Sequence, residues 1–288
     1  MKAELIYDAR ATLGEGALWH DGRLLWVDIE GGTVNRLDPE SGRNETWQIG
    51  QRVGTVVPRA RGGLVVAVHR GVGILDTISG KFEIFADPEG NRDDLRFNDG
   101  KCDPRGRLFA GTMGLTKPRA PGSLFRIDAD RTVTRVLSGT GTSNGLVWSH
   151  DETTMFYIDT PTLQVDAFDY DVATGAISNR RPAVKFPGDD GRPDGMTIDA
   201  EGNLWVALFD GAGVVGCDPR TGKIFERIDV PASRTTSCAF GGAELRELFI
   251  TCASAGLDAA ARLREPHAGS IFVARPGARG VPAFAFAG

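Results

Sequence analysis

One two-strand unit recurs along this chain. GALWHDGRLLWVD begins at Gly16, GKCDPRGRLFAGT at Gly100, GLVWSHDETTMFYID at Gly145 and GMTIDAEGNLWVAL at Gly195. Weaker copies are TVVPRARGGLVVAV from Thr55 and CAFGGAELRELFITC from Cys238. Each reads as a short strand, a tight turn usually carrying Gly or Asp, and a second strand of the Leu-Trp/Phe-Val type. A third strand often follows and ends in a turn such as DPESG (38–42), DTISG (76–80), DVATG (171–175) or DPRTG (218–222). The positions just before the copies are 15, 54, 99, 144, 194 and 237, spaced by 39, 45, 45, 50 and 43 residues with 51 remaining. A period of that size, with about four strands per unit, is that of a β-propeller blade. Six blades of 48 residues use residues 1–288 as one domain, whereas a seventh would lack the motif. The expected fold is all-β: a six-bladed β-propeller with four-stranded antiparallel blades around a central channel.

In a propeller the first strand of each blade lines the channel, so the residues at its entry converge on one rim. Those entries hold Glu15, Gly54, Asn98-Asp99, Asn144, Asp194 and Thr236-Ser237. Taken singly, Asp99-Gly100, Asn144-Gly145 and Asp194-Gly195 read as common tight-turn dipeptides. Glu15 is not a favoured turn residue, and four of the six entries carry an acid or carboxamide beside a glycine. Two carboxylates and two amides gathered on one rim repel or go unsatisfied unless a cation joins them. All-oxygen donors suit a hard or borderline divalent ion such as Ca²⁺, Mg²⁺ or Mn²⁺. Three or four protein ligands leave positions open for water and substrate. Arg96, two residues before Asn98, is placed to reach over the same opening and donate to a polar substrate.

Charge and composition narrow the classes further. A net charge of −5 argues against a nucleic-acid surface. MKAELIYDARATLGEGALWH has no continuous apolar run, so no signal peptide is expected, and no stretch has the roughly eighteen apolar residues of a membrane span. A soluble, cytoplasmic protein is expected, monomeric by default, with no nucleic-acid or membrane partner. Cys102, Cys217, Cys238 and Cys252 form no CxxC pair and read as reduced, buried thiols; Cys238 and Cys252 are possible neighbours on adjacent strands. The four histidines show no zinc spacing and none sits at a blade entry, which disfavours a Ser-His-Asp set.

LGEGALW, RFNDGKCDPRGRLFAGTM, SNGLVWS, VDAFDYDVATGAISNRRP, PDGMTIDAEGNLWVA, TTSCAFGG and AGSIFV, in order from about residue 13 to residue 273, together resemble the regucalcin/gluconolactonase (senescence marker protein) family. The resemblance implies a six-bladed propeller that hydrolyses a sugar lactone to the open-chain sugar acid with one divalent metal ion. The substrate class is an aldonolactone such as glucono-, xylono-, arabinono- or galactonolactone. Members of the family use different ions, so Ca²⁺, Zn²⁺, Mn²⁺, Mg²⁺ and Fe²⁺ all stay open. By motif match, Glu15, Asn144 and Asp194 are the implied metal ligands, Arg96 and Asn98 bind substrate, and Asp194 is also the implied base. The ion would polarise the lactone carbonyl and activate water.

This chain departs from some animal members after GTM. Their longer loop carries a sugar-contacting glutamate, whereas MGLTKPRAPGS (113–123) has no acid and carries Lys117 and Arg119. Joining the second and third strands of its blade, the loop is expected on the rim face; it reads either as a flexible solvated loop or as a basic lid favouring a lactone with a second carboxylate or a different pentose or hexose. Two other functions compete: a Ca²⁺-binding regulatory protein without significant lactonase turnover, and a scaffold for protein partners. No EF-hand loop is present, and a pure scaffold has no reason to gather acids at its axis. The strand that closes the ring is open between ELIYDAR (4–10) and PAFAFA (282–287).

Overall fold

The computed structural model describes residues 1–288 apart from Asn91 and Lys117. Six four-stranded antiparallel sheets form the blades of the propeller. Their inner strands are Gly14–His20, Val53–Pro58, Leu95–Cys102, Ser143–Trp148, Arg192–Ile198 and Thr235–Gly241, for blades 1 to 6 in order. The second strands lie between neighbouring blades and are apolar on both faces. In blade 2 all five residues of LVVAV (Leu64–Val68) are buried, so the strand shows no polar alternation. Outer strands alternate or are largely exposed, as in Ala176–Lys185.

The N-terminus closes the ring. Strand Glu4–Tyr7 pairs with Ile271–Ala274, Glu4 opposite Val273 and Leu5 opposite Phe272, as the outer strand of blade 6. PAFAFA instead crosses the end of the channel opposite the inner-strand entries. There Phe286 N–H donates to Pro58 O at 2.8 Å, and its ring is fully buried. All four cysteines are buried free thiols; Cys238 and Cys252 lie on adjacent strands, but opposite Ile250 and Thr235 rather than each other. No helix among the described residues is long and apolar enough to cross a membrane.

All six inner strands lose register with their neighbour at the entry. The breaks fall between Glu15 and Leu18, Val53 and Thr55, Phe97 and Gly100, Ser143 and Leu146, Pro193 and Met196, and Thr235 and Ser237. A bulge re-aims the side chains next to it, and here it recurs at each position where the repeat places a polar residue. Asn144-Gly145 and Asp194-Gly195 therefore lie within strands, which removes the turn reading. Gly145 is small for another reason: a Cβ there would stand 2.6 Å from Met196 N of the next blade. Gly16, at φ +63°, is the entry glycine that uses left-handed freedom.

Candidate metal centre

The bulges bring Glu15, Arg96, Asn98, Asn144 and Asp194 into the wall of one cavity of about 380 Å³. Glu15, Asn144 and Asp194 are all nearly fully buried. The carboxyls of Glu15 and Asp194 are neighbours, and as an anion Glu15 repels the charge of Asp194. Burial pushes both well above the usual carboxylate range, helped at Glu15 by the charge of Asp99 and at Asp194 by the charges of Glu15 and then Asp99; Glu15 is raised to about 8. Glu15 is partly compensated by the Gly16 N–H, which donates to Oε2 at 2.9 Å. Oδ1 of Asp194 is buried with no hydrogen-bond partner.

A directed chain of hydrogen bonds fixes the amides beside these acids. Arg96 Nη1 donates to Phe97 O at 2.9 Å and to Asn98 Oδ1 at 2.6 Å. Asn98 Nδ2 donates to Ser143 O at 2.8 Å and to Asn144 Oδ1 at 2.9 Å. Asn144 Nδ2 donates to Thr160 Oγ1 at 2.7 Å, and Thr160 Oγ1 donates to Pro193 O at 2.8 Å. Because Thr160 spends its one proton on Pro193, it can only accept from Asn144. That settles which end of the Asn144 amide is nitrogen and leaves its oxygen with one lone pair beyond the Asn98 bond. Arg96 is buried, which lowers its pKa to about 10, and its Nε has no partner.

The fit to a divalent cation rests on this donor set. Two buried carboxyls that repel, one bare Asp194 oxygen and one oriented carboxamide oxygen are hard oxygen donors short of positive charge. No group of three His, Cys, Asp or Glu side chains able to hold a metal occurs among the described residues. The carboxamide is therefore needed to complete the set.

The loop after Gly114 reaches the cavity as expected from sequence: Arg119 lines it and donates through Nη1 to Thr142 Oγ1 at 2.8 Å. Lys117 lies outside the described residues. Sequence reasoning missed Thr160 and Arg192. Arg192 lines the cavity, pairs with Asp210 and lies over the Phe209 ring at 5.1 Å. Its signal was present, since Arg192 precedes Asp194 by two residues as Arg96 precedes Asn98. Thr160 follows the second strand of blade 4 and carries no motif.

Known proteins share this architecture. The family model described as SMP-30/Gluconolactonase/LRE-like region matches residues 13–254. The chain belongs to that family. Among members of the SMP-30/gluconolactonase family, regucalcin of Danio rerio is 42% identical over 294 residues, covering 100% of this chain and 99% of its own. Bacillus subtilis YvrE, provisionally named a sugar lactone lactonase, is 40% identical over 290 residues with the same coverage. Among solved structures, a luciferin-regenerating enzyme superposes with a TM-score of 0.91 at 33% identity, covering 99% of each chain. A calcium-binding regucalcin from Agrobacterium tumefaciens gives 0.93 at 26%, over 99% of this chain and 97% of that one.

Proposed function

We propose that this protein hydrolyses a sugar lactone, of the glucono-, xylono-, arabinono- or galactonolactone class, to the open-chain sugar acid. One divalent cation would be held by Glu15, Asn144 and Asp194. The observation that carries this reading is the bare, buried Asp194 Oδ1 beside a second raised carboxyl and an oriented carboxamide oxygen. The family relationship supports it, since a relative of 40% identity is named for sugar lactones. When bound, the cation supplies Lewis-acid polarisation of a carbonyl and makes water more acidic.

The remaining steps fall to the chain's own side chains. Asp194 takes a proton from water as the water oxygen adds to the lactone carbonyl carbon; burial raises its affinity for that proton. The acyl C–O bond of the ring then breaks, and the ring oxygen receives the proton as it leaves. Arg96 lines the cavity and donates from its guanidinium to the substrate carbonyl or a ring hydroxyl. Both Nδ2 protons of Asn98 are already committed, so Asn98 meets substrate only through Oδ1 while orienting Asn144. Leu13, Met113 and Phe209 give the cavity an apolar side, which limits water around the charges.

Metal content of purified Glu15→Gln and Asp194→Asn variants, measured beside their circular dichroism, tests the assignment. Retained fold with lost metal and lost turnover is expected. Asp194→Asn with full activity would remove both the ligand and the base assignment.

A further inference from the structure

The same inner strands open on a second cavity at their other ends. Three residues beyond Glu15, Asn98, Asn144 and Asp194 stand Leu18, Lys101, Val147 and Thr197, roughly 10 Å further along a strand at about 3.3 Å per residue. These four line a separate cavity of about 300 Å³. The channel between is stoppered. Thr55 Oγ1 donates to Gly100 O at 2.9 Å, and Gly100 N–H donates to Asp99 Oδ1 at 2.7 Å. The Lys101 ammonium crosses to Met196 O of blade 5 at 2.8 Å. The gap around Asp99, Lys101 and Ser237 leaves no room for a water. Nothing that occupies the lower cavity reaches the upper one.

The C-terminal segment forms the outer wall. It is anchored on one side by Gly280 N–H to Leu245 O and Ala200 N–H to Arg279 O, each 2.7 Å. On the other side Phe286 N–H bonds Pro58 O at 2.8 Å and Ala287 N–H bonds Gly106 O at 2.9 Å. Between these anchors Val281 to Phe284 line the cavity, and residues 281–285 make no backbone hydrogen bond to the described blades. The wall on this side is therefore a strap held at its two ends.

The lining combines flat apolar surface with one donor short of acceptors. Trp19, Phe240 and Phe284 are aromatic. The Trp148 ring adds further apolar surface to the same wall. Lys101 has three ammonium protons and one hydrogen bond, to Met196 O. His150 is occupied at Nε2 by Asp199 O at 2.8 Å, and the acid in the lining, Glu152, is half-buried. A cavity of this size is at the lower end of small-molecule sites. We propose that the lower cavity is a second binding site, for a small flat aromatic acid whose carboxylate faces Lys101. This proposal does not rest on the lactonase reading, because the two cavities share no open path.

Titration calorimetry of the whole protein with 2-naphthoate, against the uncharged 2-naphthamide, tests it. Saturable one-to-one binding of 2-naphthoate is expected, at least tenfold tighter than the amide and retained in Arg96→Ala of the upper cavity. It should weaken at least tenfold in Ala283→Trp, which fills the cavity from the strap, and in Lys101→Met. Circular dichroism confirms that each variant is folded; should Lys101→Met unfold, Ala283→Trp and the amide decide. No saturable binding, equal affinity for acid and amide, indifference to Ala283→Trp or to a folded Lys101→Met, or loss in Arg96→Ala would each overturn the proposal.

Discussion

The hydroxyl of Thr160 lies 2.7 Å from Asn144 Nδ2 and 2.8 Å from the carbonyl of Pro193, one residue before Asp194. One side chain thus orients one candidate ligand and touches the backbone that delivers another. Thr160→Val keeps the shape and removes the acceptor, so the Asn144 amide loses its fixed orientation. Divalent-ion affinity should fall roughly tenfold, the lower end for loss of a partner that orients a ligand. Thr160→Ser should restore it. Calorimetric titration of metal-free protein reads this directly, and unchanged affinity in the valine variant would exclude the orienting role.

Arg96 supplies a fork rather than a point charge. One arm holds Phe97 O and Asn98 Oδ1, and the guanidinium lines the cavity. Arg96→Lys cannot make both contacts. Its kcat/KM on the best aldonolactone should drop roughly ten- to a hundredfold, the equivalent of one charge-assisted hydrogen bond of about 1.5–3 kcal/mol. A lysine variant with wild-type kinetics would show that Arg96 acts only as a positive charge.

Stability of the metal-free protein should depend on pH in a specific direction. Glu15, at about 8, and Asp194 titrate higher in the folded chain than carboxyls do when unfolded, because burial, then the charge of Asp99 at Glu15 and the charges of Glu15 and Asp99 at Asp194, disfavour their charged forms. The folded state then holds more protons than the unfolded one between about pH 4 and pH 8. This contribution is complete below that window and is lost as pH rises through it. The melting temperature with chelator should show this loss between about pH 5 and pH 8, and the gain on adding a divalent ion should grow over the same interval. An ion-induced gain that shrinks with rising pH would contradict the paired-acid description.

Much of this centre was legible from the chain because a repeat converts sequence spacing into position around an axis. Glu15, Asn144 and Asp194 occupy equivalent places in three units and meet in one cavity. The bulge that aims them was not legible, since a slip in strand register leaves no residue signature. Thr160 was invisible for a similar reason, being brought in by the path of the chain after strand Thr154–Asp159. Ring closure was undecidable because ELIYDAR and PAFAFA both have strand character, and the pairing of Glu4 with Val273 is a contact between the two ends.

Arg119 and Arg192 differ in what holds them, and this bears on substrate charge. Arg192 is paired with Asp210, whereas Arg119 is held by the hydroxyl of Thr142 and keeps its charge for the cavity. Arg119→Ala should lower kcat/KM several-fold more for aldarolactones than for neutral aldonolactones, as expected of one partly exposed ion pair worth about 0.5–1 kcal/mol. Equal losses on both classes would remove the basic-lid role.

We propose metal-dependent opening of a sugar lactone at the Glu15, Asn144 and Asp194 centre. The most direct measurement is pH-stat hydrolysis of a panel of aldonolactones by untreated, chelator-treated and metal-restored protein. Turnover of at least one lactone is expected, abolished by chelator and recovered with a divalent ion in wild type but not in Asp194→Asn. Undiminished turnover after verified removal of metal, or no turnover of any lactone with any divalent ion, would contradict it.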